Sequence, residues 1–458
     1  MSSQASPRKE LYTALVSGLL FPLHERLKKH QTLALRRQME ISQWWSAEQL
    51  QDLQLARLKR LLTHAQHHVP YYRELFARLG FQAEQVSSLK DLQALPFLNK
   101  AEIRGNTEAL KSELASGLAR FNTGGSSGEP LIFFIGKERV SHDVAAKWRA
   151  TRWWDVDIGD REIVVWGSPI ELGAQDNVRA LRDKIFRTKL LPAFEMSEQK
   201  LDGFLEQIRQ TRPKMLFGYP SALSHFARHA DSRGLSMDKL GIAVAFVTSE
   251  RLYDEQRSQI AATFGCRVAN GYGGRDAGFI AHQCPHGSMH ITAEDIIVEI
   301  VNPQGIPVPA GESGEIVVTH LATSEFPFIR YRTGDIGILA DTPCSCGRGL
   351  PVLKEIQGRS TDFLIAQNGT VMHGLALIYI LRDLPQVRAF KIIQESLDLT
   401  RVLVVLEQEL SPELKQKIIH GFQARLGTGV TIQVEQVAEI PAEKSGKFRY
   451  VISKISAV

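Results

Sequence analysis

Asn122-Thr123-Gly124-Gly125-Ser126-Ser127-Gly128-Glu129-Pro130 stands where the character of the chain changes. Three glycines allow positive φ and leave successive backbone N–H groups uncovered, the ingredients of a concave anion nest. The hydroxyls of Thr123, Ser126 and Ser127 add donors, so the loop suits a polyphosphate. It lacks the Gly-Lys-Ser/Thr ending of a P-loop, so phosphates would be held in another way. A Gly/Ser-rich turn is also a common flexible connection, and the loop alone does not separate the two readings.

On either side of this loop the hydrophobic rhythm differs. Residues 1–118 read as mostly helical. Ser46-Ala47-Glu48-Gln49 has the form of a capping box, and Leu50, Leu53, Leu58, Leu61, Leu62 and Ala65 follow at helical spacing until Pro70 ends the run. After the loop, short apolar strands (Ile163–Trp166, Met215–Phe217, Ile242–Val247) alternate with helices carrying Leu223, Phe226 and Ala230, then Leu252, Ile260 and Phe264. Such alternation predicts a parallel, doubly wound α/β sheet with ligands at the carboxyl ends of its strands. From Ile291 to Leu339 the pattern turns β-rich, with strands expected at Ile296–Val301 and Glu315–His320. Leu403–Leu406, Pro412–Leu426 and Val430–Val434 then read as β-α-β. The expected organisation is a helical N-terminal region (1–118), an α/β core with a β-rich subdomain (119–358), and a small α+β C-terminal domain (359–458).

A chain of 458 residues can hold two to four domains and bury a large core. Its 43% hydrophobic and 23% charged content is that of a soluble globular protein. A net charge of +5 is small at this size, and the N-terminal basic residues are interrupted by acidic ones, so nucleic-acid binding is not expected. Four cysteines do not make a disulfide framework. Leu11–Leu23 is mildly apolar but too short to span a bilayer, and no small-residue cleavage site follows. That segment can lie on a membrane surface or dock on the protein core. A cytoplasmic protein without a transmembrane segment is expected; oligomeric state is not legible.

Four further stretches follow the glycine loop in order: Asn270-Gly271-Tyr272-Gly273-Gly274-Arg275-Asp276, Tyr331-Arg332-Thr333-Gly334-Asp335, Gly358-Arg359-Ser360-Thr361-Asp362 and Pro441-Ala442-Glu443-Lys444-Ser445-Gly446-Lys447. Together the five resemble the adenylate-forming enzymes, the superfamily of acyl-CoA synthetases, peptide-synthetase adenylation domains and luciferases. Within it the chain is most similar to the phenylacetate-CoA ligase branch, especially CapK-like proteins linked to capsule polysaccharide genes. Val69-Pro70-Tyr71-Tyr72 and Leu95-Pro96-Phe97-Leu98-Asn99-Lys100 also look like that branch. The similarity runs from about residue 50 to the C-terminus.

The resemblance implies ATP-dependent activation of a carboxylic acid to an acyl-adenylate, with Mg²⁺ as cofactor. It assigns Thr123, Gly124, Gly125, Ser126, Ser127 and Gly128 to the phosphates, with Ser249, Glu250, Gly271, Tyr272 and Gly273 as further nucleotide contacts. Tyr272 offers a flat face for adenine. Asp276 takes the place of the family's usual glutamate, a hard oxygen ligand for Mg²⁺ one methylene shorter. Asp335, after Thr-Gly, can accept hydrogen bonds from both ribose hydroxyls, and Arg359 adds a cationic fork. Lys447 corresponds to a mobile catalytic lysine, brought in for adenylation and withdrawn as the small domain rotates. Glu129 stands where the family usually has lysine, and Thr361 where it commonly has aspartate.

Cys284-Pro285-His286-Gly287-Ser288-Met289-His290 and Cys344-Ser345-Cys346 could furnish one tetrahedral Cys₃His zinc site from Cys284, His290, Cys344 and Cys346, with His282 and His286 as competing ligands. Reduced, partly buried cysteines are the plain alternative, and Cys266 reads as core. The acceptor expected for the activated acyl group is CoA. An amine or hydroxyl on a polysaccharide precursor is the alternative, and a nucleotide-binding protein with weak catalysis is a third reading. Trp166, Phe217 and Tyr219 could line an aryl pocket or belong to the core.

Overall fold

The computed structural model describes residues 10–122, 131–166, 177–192, 198–359, 363–368, 371–373, 375–440 and 450–455. The chain divides into two compact units: Met1–Thr333 with Ile338–Glu355, and Gly334–Gly337 with Ile356–Val458.

The larger unit opens with helices, the longest being Ala47–His68. Its capping box forms as the sequence reads: Ser46 Oγ accepts the Gln49 N–H at 3.2 Å, and Gln49 Oε1 accepts the Ser46 N–H at 3.0 Å. Pro70 ends that helix and, at the first position of the next, starts Pro70–Leu79, because a helix start has no use for the missing N–H.

The strands follow in order: β1 (Ala119–Asn122), β2 (Ile132–Ile135), β3 (Glu162–Trp166), β4 (Thr188–Pro192), β5 (Met215–Gly218), β6 (Val244–Thr248), β7 (Arg267–Gly274), β8 (Gly278–Gln283), β9 (Met289–Ile291), β10 (Ile296–Val301), β11 (Ser313–His320), β12 (Tyr331–Leu339) and β13 (Val352–Arg359). β1 and β2 form an antiparallel pair; the other eleven make one sheet in the order β10-β11-β12-β13-β9-β8-β7-β6-β5-β3-β4. The doubly wound and β-rich segments expected within one core are joined in one continuous mixed sheet. β4, β3, β5, β6 and β7 run parallel, and the β7–β8 hairpin reverses the direction.

Alternation along the parallel strands explains why both faces are covered. Leu216, Ala245 and Val247 meet Leu205, Ile208, Leu223, Phe226, Ile260 and Phe264 on one face. Met215, Phe217, Val244 and Phe246 meet Ala150 and Trp154 on the other. The first core is lined by the helices Glu198–Thr211, Pro220–Ser232 and Asp254–Phe264, the second by the end of Lys137–Arg152. Among the described residues no helix is long and apolar enough to cross a membrane.

The second unit completes β14 (Phe363–Ile365), β15 (Val371–His373), β16 (Val387–Ser396), β17 (Leu399–Leu406), β18 (Thr431–Gln436) and β19 (Val451–Ser453). Its four-stranded sheet has the order β18-β17-β16-β19. The helix Pro412–Leu426 begins with Ser411 Oγ accepting the Leu414 N–H, and buries Ile418, Phe422 and Leu426 against Val402, Val404, Ile432 and Val434.

Buried charge joins the larger unit's helices to the turn before β10. Arg149 and Glu294, each about 1% exposed, pair at 2.6 Å, and Ser42 Oγ donates to the same carboxylate at 2.7 Å. Asp295 accepts from Arg57 at 2.9 Å and pairs with the His142 ring at 2.6 Å. Burial alone would raise the Asp295 carboxyl, but His142 and Arg57 hold it down to about 2. A depressed carboxyl contributes stability that is fully present above its ordinary value and lost as pH falls through the folded one. Asp295→Asn should therefore be less stable than wild type at neutral pH. Denaturant titration should find that gap narrowing by about 2–3 kcal/mol as pH falls from about 5 to about 1; a constant gap would contradict the assignment.

Candidate active site

The parallel strands β3, β5, β6 and β7 end at one edge of the sheet, the place where open α/β sheets bind ligands. Immediately past β6, Ser249 adopts φ +72°, a left-handed turn that few non-glycine residues take. Glu250 Oε2 accepts the N–H of Ser221 at 3.2 Å, placing a carboxylate on the first turn of Pro220–Ser232. Tyr219, the residue before that helix, stacks on Trp166 with ring centroids 4.4 Å apart. Phe217 and Tyr219 are buried and Trp166 is half-buried, so the first two are core and the third borders the strand ends.

The β7–β8 hairpin carries the Gly271–Asp276 motif. Tyr272 is half-buried on β7, opposite Ala281. Its flanking glycines answer to close approach: a Cβ on Gly273 would lie 2.2 Å from the Gly278 carbonyl oxygen, and one on Gly271 2.8 Å from the Phe246 ring. Asp276 sits in the turn. Its Oδ2 accepts the Tyr331 hydroxyl at 2.7 Å and its Oδ1 the Ala277 N–H at 3.1 Å. An ionised carboxylate offers about four lone-pair directions, so two donors leave capacity for a cation.

Arg139 holds this turn from behind. It is 2% exposed and donates from Nη1 to the Asp276 carbonyl at 3.1 Å, from Nη2 to the Arg275 carbonyl at 3.0 Å, and from Nε to Asp143 at 3.0 Å. Burial works against the Asp143 carboxylate, but Arg139 and His320 outweigh it and lower its pKa. Arg139 and the Tyr331 hydroxyl escaped the sequence reading. The pair Arg139/Asp143, four apart on a helix, was the available signal for the first.

The remaining nucleotide candidates divide. Asp335 is half-buried on β12, one residue past Gly334 at φ +77°. Arg359 is the last residue of β13. Thr123, Gly124, Gly125, Ser126, Ser127, Gly128 and Lys447, with Glu129 and Thr361, lie outside the described residues.

Apart from the strand edge, Cys284, His290, Cys344 and Cys346 bring their ligand atoms within 4.8 Å of one another. Cys284 Sγ is 3.8 Å from Cys344 Sγ, and Cys346 Sγ is 3.2 Å from His290 Nε2. His290 Nδ1 faces the Leu350 carbonyl at 3.3 Å; a proton there leaves the Nε2 lone pair for the cluster. Burial pushes His290 down to about 4 and Cys284 up to about 11. Neutral imidazole and sulfur at this spacing fit a tetrahedral Zn²⁺ centre. The competitors stand elsewhere: His286 pairs with Ser345 Oγ at 3.1 Å, and His282 is buried with its ring near Phe246 and Phe279.

Residues 364–454 match the model of the CapK C-terminal domain. The chain is 22% identical over 444 residues to the protein CapK of Staphylococcus aureus, covering 96% of each chain. It is 25% identical over 440 residues to a phenylacetate-coenzyme A ligase of Thermus thermophilus, covering 88% of this chain and 96% of that one. The chain is thus similar over most of its length to CapK and to phenylacetate-CoA ligases. Among solved structures it superposes on 2-hydroxyisobutyryl-CoA ligase, in the postadenylation state in complex with R3-HIB-AMP, with a TM-score of 0.72 at 21% identity over 90% of both chains. The fold is that of the adenylate-forming ligases.

Removing Arg139 leaves Asp143 to the His320 ring at 3.7 Å and frees two carbonyls at once. Arg139→Ala should cost about 3–5 kcal/mol of stability in the larger unit, whereas Tyr331→Phe, which deletes one hydrogen bond to a carboxylate, should cost about 1.5–3 kcal/mol. Urea titration of both variants checks the ranking. An Arg139→Ala protein as stable as Tyr331→Phe would mean that the guanidinium does not hold the turn.

Proposed function

We propose that this protein is an ATP-dependent ligase that activates a carboxylic acid as its acyl-adenylate and then transfers the acyl group to CoA. The observation that carries the reading is the acidic turn at Asp276, fixed by Arg139 and Tyr331 in a chain with the adenylate-forming fold. Its relatives include phenylacetate-CoA ligases, and its solved neighbours include a CoA ligase with a bound acyl-AMP compound.

In the first step a carboxylate oxygen attacks the α-phosphorus of ATP in line, the bond to the bridging oxygen breaks, and pyrophosphate leaves. In the second the CoA sulfur attacks the acyl carbonyl, gives up its proton, and AMP leaves. Asp276 would hold Mg²⁺, which when bound neutralises phosphate charge. The N–H groups of Gly124–Gly128 and the hydroxyls of Thr123, Ser126 and Ser127 bind the phosphates. Tyr272 offers its ring to adenine, with Ser249, Glu250, Gly271 and Gly273 shaping the surrounding backbone. Asp335 accepts the ribose hydroxyls and Arg359 adds a cationic fork. Lys447 supplies an ammonium to the charge that develops between carboxylate and α-phosphate.

We assign Cys284, His290, Cys344 and Cys346 a structural zinc ion. Their donor set supports this, because three sulfurs and one imidazole nitrogen converge within 4.8 Å of one another, two of the residues buried and two half-buried. Protein purified without chelators should carry about one zinc per chain, and Cys344→Ser should lose it and melt at a lower temperature. Elemental analysis finding no zinc would remove the ion.

The two half-reactions separate at Lys447. With ATP, Mg²⁺, CoA and a panel of acids, the enzyme should release AMP and acyl-CoA in equal amounts. Lys447→Ala should slow acyl-adenylate formation by about 10²–10³ while still converting supplied acyl-adenylate and CoA to thioester. AMP release that depends on an amine or hydroxyl and yields no thioester would reassign the acceptor; equal losses in both half-reactions would refute the role of Lys447.

A further inference from the structure

The first helical run of the chain has two opposite faces. It comprises Leu11–Leu15, a π-helical turn at Val16–Leu20, and Phe21–Leu27. Inward, Thr13 donates to Asp160 at 2.8 Å, Phe21 packs edge-on against Trp148 with centroids 5.0 Å apart, and Glu25 takes hydrogen bonds from Thr32 and the His30 ring. Outward stand Leu11, Leu15, Leu19, Leu23 and Leu27, exposed to 87%, 45%, 58%, 53% and 77%. The other exposed residues between Leu11 and Leu23 are Ala14 and Gly18, so that stretch of the outer face bears no charge.

Five leucines four apart would not stay aligned on an ordinary α-helix. Each step of four residues overshoots a turn of 3.6 by about 40°, or about 160° over the row. The π-helical turn in the middle takes more residues per turn and winds the row back, which keeps the leucines opposite Thr13, Phe21 and Glu25.

Cations border this ridge at its far end and along one side, and the glutamate at its start, Glu10, is paired with Arg187 at 2.8 Å. Arg26, Lys28 and Lys29 are exposed at its end. Beside it runs the helix Asn177–Ile185 and the strand after it, joined to the ridge by the Tyr12 hydroxyl on the Ile185 carbonyl at 3.0 Å and by the Arg187 guanidinium 4.0 Å over the Tyr12 ring. That neighbour adds Leu181, 60% exposed, and the exposed Lys184 and Lys189.

We infer that the Leu11–Leu27 ridge and its flanking lysines are a docking surface for an anionic lipid bilayer. An uncharged aliphatic face with basic residues at its margin is the pattern of a helix that lies in the membrane interface. The run spans about 26 Å at 1.5 Å per residue, and its inner face is engaged with the protein, so it lies flat on the bilayer. Aliphatic side chains enter the acyl boundary and the lysines meet lipid phosphates. A stable protein partner would call for aromatic and arginine anchors, and the outer face has neither between Leu11 and Leu23. The inference is independent of the catalytic reading.

Vesicle flotation with the full-length protein tests it. Wild type should partition onto phosphatidylcholine vesicles containing about one third phosphatidylglycerol at least tenfold more than onto pure phosphatidylcholine. Raising salt from about 0.1 M to about 1 M should weaken that binding. Leu15→Gln/Leu19→Gln/Leu23→Gln should lower partition at least tenfold with an unchanged melting temperature. Lys28→Glu/Lys29→Glu should lower it about twentyfold or more, at about fivefold for each cation lost. Wild type that stays off anionic vesicles, or a triple leucine variant that binds as wild type does, overturns the proposal. A dimer seen by analytical ultracentrifugation and dissolved by the leucine substitutions, without vesicle binding, would assign the ridge to a second copy of the chain instead.

Discussion

One buried guanidinium sets the geometry on which the candidate site depends. All three faces of Arg139 are in use, toward two consecutive carbonyls of the β7–β8 turn and toward Asp143 on its own helix. The turn's shape thus depends on a helix packed on the sheet as well as on the turn's own residues. Tyr331, rising from the start of β12, fixes the Asp276 carboxylate from another side. A carboxylate held this way does not reorganise when charge arrives, which is the property an electrostatic catalyst requires. The arrangement carries a hazard as well, since a buried ion pair costs most when only one partner is lost.

What the sequence made legible follows from period and punctuation. Ile163–Trp166 and Met215–Phe217 fall within one residue of β3 and β5, because apolar runs bounded by helical patterns have few other uses. Ser411 and Pro412 mark the start of Pro412–Leu426 at the expected residue. The cysteine and histidine spacing pointed to a four-ligand cluster, and the backbone brings those four residues together. Spacing could not choose among the histidines; the choice depends on strand pairing, which turns His282 into the interior and leaves His286 beside Ser345.

The parts that were illegible are long-range. Arg139 reaches residues 136 and 137 positions away, and its one local signal, Asp143 four residues on, does not tell a buried arginine from one in a surface ion pair. The continuity of the eleven-stranded sheet depends on β9 pairing with β13 across a gap of about sixty residues, which periodicity does not record. The leucine ridge was visible only as mild hydropathy, since its alignment comes from a π-helical turn that no residue type announces. Proline at 70 shows the same limit on a small scale: it signals an interruption and leaves the next element's identity to context.

The central claim is that this fold, with its rigid acidic turn, activates a carboxylic acid by adenylation. Acid-dependent exchange of labelled pyrophosphate into ATP measures that step alone, without regard to the acceptor. The full chain with Mg²⁺ should catalyse exchange with at least one member of a panel of aryl and aliphatic acids, and none without acid. Saturable ATP binding with no exchange for any acid would contradict the account and leave a nucleotide-binding protein in its place.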